Sequence, residues 1–143
     1  MSPATQRDLV PVHGGLEEPV DRIVSFKHKA AFLAEAAGLP AIRVTAADLS
    51  TVHRLADGAL SPLTGPMKRD AFTRVLQEKV ILSNGKKYAW TIPISLPVTD
   101  AEAASLKKGG ACAVKTEDGQ IVAILSDVET FDWDKKTYLQ SIY

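Results

Sequence analysis

The chain has 143 residues and a mass of 15.4 kDa, the size of one domain. Ile, Leu, Val and Phe number 38, enough to build a core and too many for a disordered chain. Seventeen basic side chains balance seventeen acidic ones, which argues against nucleic acid as a partner, because that affinity rests on neutralising phosphates. The single Cys112 excludes an internal disulfide and a multi-cysteine zinc site. The longest charge-free run, Tyr88–Thr99, is 12 residues with two prolines inside, too short and broken to span a bilayer. The polar opening at Ser2, Pro3 and Arg7 has no apolar signal-type stretch. The expectation is one globular domain, residues 1–143, cytoplasmic, with no membrane contact.

In chain order, residues 1–20 carry Pro3, Pro11, Gly14, Gly15 and Pro19 and read as an extended arm with turns. A helix starting at Asp21 or Ser25 reaches Ala37, with Gly38 and Pro40 as its stop. Ala41–Thr45 reads as a short strand. Thr45 caps a second helix, with the Asp48 carboxylate placed to reach back to the cap amide and Gly58 at C′. A third helix is expected over Lys68–Gln77. From there the pattern turns to strands: Val80–Leu82, an Asn84-Gly85 hairpin turn, and Tyr88–Val98, an edge or bulged strand because of Pro93 and Pro97. Thr99 and Glu102 form a capping box for a short helix, Asp100–Leu106, that ends at Gly109-Gly110. Ala111–Thr116 and Gln120–Ser126 make a hairpin around Asp118-Gly119, and Val128–Trp133 is a last strand before a polar tail. Helices first and strands second give an α+β fold, with the short, interrupted strands closing into a small, partly closed barrel.

Nothing in the residues themselves marks an active site. His13, His28 and His53 are isolated, and Cys112 sits among alanines in a strand, where a small thiol packs. Asp127, Glu129, Asp132 and Asp134 read as a solvated strand edge and turn; Lys27, His28 and Lys29, with Arg22 one turn earlier, offer a small basic face, as do the lysine pairs, but acids offset all of them and dispersed pairs read as solubility features. Gly14-Gly15 lacks the lysine and preceding strand of a phosphate loop. One stretch stands out. Leu60, Ser61, Pro62, Leu63, Thr64, Gly65, Pro66 and Met67 are eight residues without a charge, unable to form a long helix or a central strand. A stiff apolar loop loses little entropy on docking, so this segment is the candidate interaction surface. The other reading is that Leu60, Leu63 and Met67 turn inward and complete the core.

A resemblance adds to this. Leu9-Val10-Pro11-Val12-His13-Gly14-Gly15 resembles the opening of the ATP sulfurylase (sulfate adenylyltransferase) family. Asp57-Gly58-Ala59-Leu60-Ser61-Pro62-Leu63-Thr64-Gly65-Pro66-Met67 is similar to that family's Gly-Ala-Phe-Ser-Pro-Leu-x-Gly-Phe-Met segment. Asn84-Gly85, Trp90-Thr91-Ile92-Pro93-Ile94, Leu96-Pro97-Val98, Asp118-Gly119 and Asp132-Trp133-Asp134-Lys135 follow in family order. The resemblance implies the family's N-terminal domain, a PUA-like mixed β pseudo-barrel with flanking helices. The Gln-x-Arg-Asn, His-x-x-His and Gly-Arg-Asp motifs of the family's catalytic domain have no counterpart here, and Gln6-Arg7-Asp8 is not one. It therefore implies a chain without catalytic residues, cofactor or metal of its own; ATP and magnesium belong to the absent catalytic domain. Its partner would be that domain or chain, or a second copy through self-association. A free-standing protein–protein adaptor, or an RNA- or ligand-binding module, is the alternative. Leu60 and Pro66 stand where the family usually has phenylalanines, so the loop's packing is expected to differ from the family's.

Overall fold

The computed structural model describes residues 10–143. Leu9, Gln6-Arg7-Asp8 and the first half of the expected N-terminal arm lie outside the described residues. Val12 bridges Leu16 across the turn formed by His13, Gly14 and Gly15. After an irregular stretch, a 3-10 turn at Phe26–His28 leads into α1 (Lys29–Ala37). The helix begins later than the sequence suggests, because Ser25 makes no side-chain cap with a following amide and its hydroxyl instead meets His28 Nδ1 at 2.9 Å.

A mixed sheet forms the first layer. β1 (Ala41–Arg43) runs parallel to β4 (Cys112–Lys115), which pairs antiparallel with β5 (Ile121–Leu125). α2 (Ala46–Ala56) lies between them in sequence and starts at Thr45, whose side chain accepts from the Asp48 amide. The expected reach of Asp48 back to the cap amide is replaced by Thr45 Oγ1 donating to the Asp48 carboxylate at 2.8 Å. Aspartate is one methylene shorter than glutamate, and only half of the box closes. Ile42, Val44, Val52, Cys112 and Val114 form the buried core of this layer.

The second layer has its own core: Met67, Phe72, Val75 and Ile81. It is built by α3 (Arg69–Glu78) and the hairpin β2–β3 (Val80–Ser83 and Lys86–Ala89). Asn84 and Gly85 take φ of 50° and 74°, the left-handed pair that a tight type I′ hairpin requires. The strand expected over Tyr88–Val98 ends at Ala89. The Trp90 amide still donates to Lys79 O, but from Thr91 to Val98 the backbone is irregular and extends no ladder. Pro93 and Pro97 have no amide with which to continue one.

The remaining elements tie the layers together. α4 (Asp100–Ser105) carries the complete Thr99–Glu102 capping box. Glu102 Oε1 also accepts the Arg43 amide at 2.8 Å, so the cap of α4 holds the end of β1. The stretch expected as a last strand, Val128–Trp133, forms no strand; Val128 only exchanges backbone hydrogen bonds with Gly109 and Gly110. The stretch read as a polar tail is α5 (Lys135–Ile142), capped by Asp134, which accepts the Lys136 amide. The sheets, β1-β4-β5 and β2-β3, share no strand pairing. The fold is α+β, as expected.

Partial burial pushes the Glu102 carboxyl up, but hydrogen bonds from the Thr99 and Arg43 amides outweigh it and hold it below its ordinary 4.5. A depressed carboxyl contributes stability above its unfolded value and loses it as the pH falls through its folded one. Glu102→Gln should therefore unfold more easily than the parent at neutral pH, with the gap narrowing on acidification. Urea titrations from neutral pH down through the carboxylate range check this.

Candidate docking loop and cleft

The segment from Leu60 to Met67 joins the two layers. It starts one turn beyond α2, where Gly58 sits at φ 85° as the C′ residue, and it ends at the start of α3. Backbone bonds from Ser61 to Gly58 O (3.0 Å), Leu63 to Leu60 O (2.9 Å) and Met67 to Ile94 O (2.7 Å) hold it in one shape. The Ser61–Pro62 peptide bond is cis. Ser61 and Met67 turn inward, 7% and 5% exposed. Leu60, Pro62, Leu63, Gly65 and Pro66 are half-buried and Thr64 is exposed. The inward reading holds for Met67, which completes the second core, and for Leu63, which packs against it; between the anchors the segment is half-buried, with Thr64 exposed.

This stretch borders a cleft of about 1340 Å³. Leu63 to Met67 line one part of it, Leu96 and Leu106 another, and Phe131 and Trp133 a third. The cleft opens where the two cores meet, since Ile42 of the first and Phe72 of the second both border it. Its rim is held by ion pairs. Lys68 pairs with Asp127, and Lys108 with Glu129 at 3.5 Å. Glu129 Oε1 also accepts the Arg69 amide at 3.1 Å, at the start of α3. This hydrogen bond first, with Lys108 and Lys68 nearby, holds the Glu129 carboxyl below its usual range. The acids expected to be a solvated edge therefore include two that fasten Ser126–Phe131 to α3 and the Lys107–Gly110 turn.

The His13-Gly14-Gly15 turn supports the loop from behind, a role the sequence reading missed. The His13 ring nitrogen Nε2 lies 2.9 Å from Ala89 O, and the ring rests between Tyr88 and Trp90. Ser83 Oγ donates to Gly14 O at 2.6 Å. Gly14, at φ 84°, lies directly against the Pro62 ring, and a Cβ there would overlap it. Further along, the Val20 amide donates to Ser61 Oγ at 2.9 Å, and that hydroxyl donates to Gly58 O at 2.6 Å. A signal was present, since two glycines beside a histidine at a turn mark a close backbone approach; what they approach is not written locally.

The arrangement offers contact surface rather than chemistry. Among the described residues, no group of three or more His, Cys, Asp or Glu side chains is placed to hold a metal ion. His28 and His53 are exposed on separate elements. Cys112 is fully buried, and burial pushes its thiol up, away from the thiolate a nucleophile needs. No described helix is long and apolar enough to cross a membrane.

Comparison with known proteins identifies the family of the fold. Residues 10–143 match the family model described as a PUA-like domain. A sulfate adenylyltransferase of Pyropia yezoensis is 47% identical over 136 residues, covering 95% of this chain and 31% of that protein. One of Staphylothermus marinus is 39% identical over 131 residues, covering 92% and 33%. The chain spans about a third of the length of the curated relatives it matches. A solved structure, the hexameric APS kinase from Thiobacillus denitrificans, superposes with a TM-score of 0.69 at 30% identity, covering 82% of this chain and 23% of that one.

The fit of Gly14 against Pro62 is testable. Gly14→Ala adds both left-handed strain and overlap, whereas Gly85→Ala adds strain alone, since open space surrounds Gly85. Gly85→Ala should cost about 1 kcal/mol and Gly14→Ala roughly 2–4 kcal/mol, read from denaturant midpoints at constant m.

Proposed function

The chain belongs to the family of PUA-like domains and matches the N-terminal domain of sulfate adenylyltransferases; from that premise we propose that it is a non-catalytic docking domain of such an enzyme. The reaction of the whole enzyme joins ATP and sulfate into adenylyl sulfate and pyrophosphate. This chain's part is to bind the catalytic domain, in the cytoplasm, and to hold it in its assembly. The observation that carries the reading is the cleft bordered by the stiff Leu63–Met67 segment. This recess of about 1340 Å³ borders both small cores and exposes apolar side chains of each to a partner. A neighbouring domain that inserted apolar side chains there would join both cores into one.

The chemistry supports the same division of labour. Adenylyl transfer needs cationic groups and a metal around the phosphates. The cleft mixes apolar side chains with the cations Arg22, Lys68 and Arg74 and the acids Asp70, Asp127 and Glu129, and Lys68 is paired to Asp127. ATP, magnesium and sulfate would be handled by the other domain. An RNA-binding role finds no support in the charge pattern, since the net charge is zero and the cleft's three cations are matched by Asp70, Asp127 and Glu129.

Two measurements test this. Pyrophosphate release by the chain with ATP, magnesium and sulfate should equal the protein-free blank, and turnover that survives repurification would overturn the reading. Thr64→Arg, on the exposed part of the loop, should change stability by less than about 0.5 kcal/mol yet abolish co-purification with a sulfate adenylyltransferase catalytic domain. Met67→Asp, by contrast, buries an unpaired charge and should cost several kcal/mol. Retained docking by Thr64→Arg would remove the loop from the interface.

A further inference from the structure

Residues 21–31 are exposed without interruption, and they include Ile23 and Phe26, 66% and 92% exposed. Their path is nevertheless fixed. The Arg22 amide donates to Ala56 O at 2.8 Å, which ties the segment to the end of α2. The Asp21 carboxylate accepts the Ile23 amide at 3.0 Å, and the His28 amide donates to Ser25 O at 2.9 Å. The Phe26–His28 turn then runs directly into α1, whose Ala36 is buried. An aromatic ring held out on an ordered turn loses little freedom when a partner covers it.

Charge narrows what can cover it. Arg22, Lys27 and Lys29 lie between Glu17, Glu18 and Asp21 on one side and Glu35 on the other. Three cations among four acids give a polyanion, whether nucleic acid or an anionic lipid surface, no net attraction to build on. The apolar side of the turn is left, and it calls for an apolar recess on a folded partner. Position narrows the choice further. Arg22, Val24 and Phe32 line the cleft, whereas Ile23 and Phe26 do not. The segment therefore alternates between the cleft wall and the surface beyond it. Phe26 is two residues from Val24, at most about 7 Å of backbone, so a body seated in the cleft needs to extend only that far to cover it.

We propose that the edge formed by Ile23 and Phe26 is a second part of the docking surface: the catalytic domain that occupies the cleft also covers this edge, with an apolar recess that takes the Phe26 ring. This rests on the docking reading above and adds to it an anchor residue that the cleft itself does not contain. The contact is apolar rather than ionic, because the cations beside Phe26 are matched by acids of the same segment.

The test is calorimetric titration of the full chain into a sulfate adenylyltransferase catalytic domain, with sedimentation of the chain alone beside it. Phe26→Asp should weaken binding at least about tenfold and leave the chain's own thermal midpoint unchanged, since the ring is almost wholly exposed. Phe26→Leu, which keeps an apolar side chain, should retain most of the affinity. Lys27→Glu/Lys29→Glu should do far less than Phe26→Asp, and raised salt should weaken binding only slightly. Binding by the parent chain that Phe26→Asp leaves unaltered overturns this inference alone and leaves the docking reading standing. Absence of binding by the parent overturns both. A loss on charge reversal as large as that of Phe26→Asp makes the contact ionic and overturns the proposal. Self-association of the chain that depends on Phe26 overturns it too, because a second copy is then the occupant.

Discussion

The buried Ser61 hydroxyl fixes how the two halves of the domain meet. It accepts the Val20 amide and donates to Gly58 O, so one oxygen joins the N-terminal segment, the end of α2 and the start of the loop. At 7% exposure, either bond left unmade would leave a buried polar group without water to replace its partner. With that junction in place, Pro62 is pressed against Gly14, and the loop can only run outward along the cleft before Met67 turns back into the second core. The half-buried stretch between them follows from two inward anchors, Ser61 and Met67, at either end of it.

Two small cores rather than one explain why the connecting segments carry so much of the structure. Each layer buries only a handful of side chains, and no strand pairing crosses between them. The layers are joined by irregular backbone and by polar fastenings. Glu129, on Arg69 and Lys108, is one such fastening, while Glu102 on Thr99 and Arg43 braces the first layer and Lys79 donating to Ser141 O ties α5 to the second. Exposed ion pairs add little stability singly, but a carboxylate that accepts backbone amides from two elements sets their relative position. Specific geometry here comes from hydrogen bonds to the backbone, and bulk stability from the cores.

The parts legible in the sequence are those whose cause is local. Asn84-Gly85 specifies a tight hairpin through two positive φ angles, and Thr99 with Glu102 specifies a helix start through reciprocal hydrogen bonds. The charge-free loop was legible for the same reason, since its prolines forbid regular structure wherever they are placed. What escaped depends on contacts between distant residues. Trp90, Ile92 and Ile94 alternate like a strand, yet Pro93 is the buried residue and Ile92 is half exposed, so the period-two pattern did not describe one face. α5 looks like a polar tail because only Tyr138 reaches the second core, where it stacks on Phe72 and meets Trp133 edge-on. One aromatic with a distant partner leaves no periodic trace. The support given by His13 and Gly14 is of this kind too, written in residues whose partners, Ala89 and Pro62, lie far along the chain.

The motifs that carry the family resemblance turn out to be one another's contacts. The His13-Gly14-Gly15 turn touches Tyr88, Trp90 and Pro62; Ser61 holds Val20; and Met67 pairs with Ile94. A reacting group would gather side chains around a substrate, whereas these gather around a backbone path. They define the course of the Leu60–Met67 loop and the hairpin behind it. The replacement of expected phenylalanines by Leu60 and Pro66 fits the same logic. Neither position is an anchor, and both are half-buried along the stretch between Gly58 and Met67. Of the two departures, Pro66 lies on the face that borders the cleft, and Leu60 lies just before the Ser61 anchor.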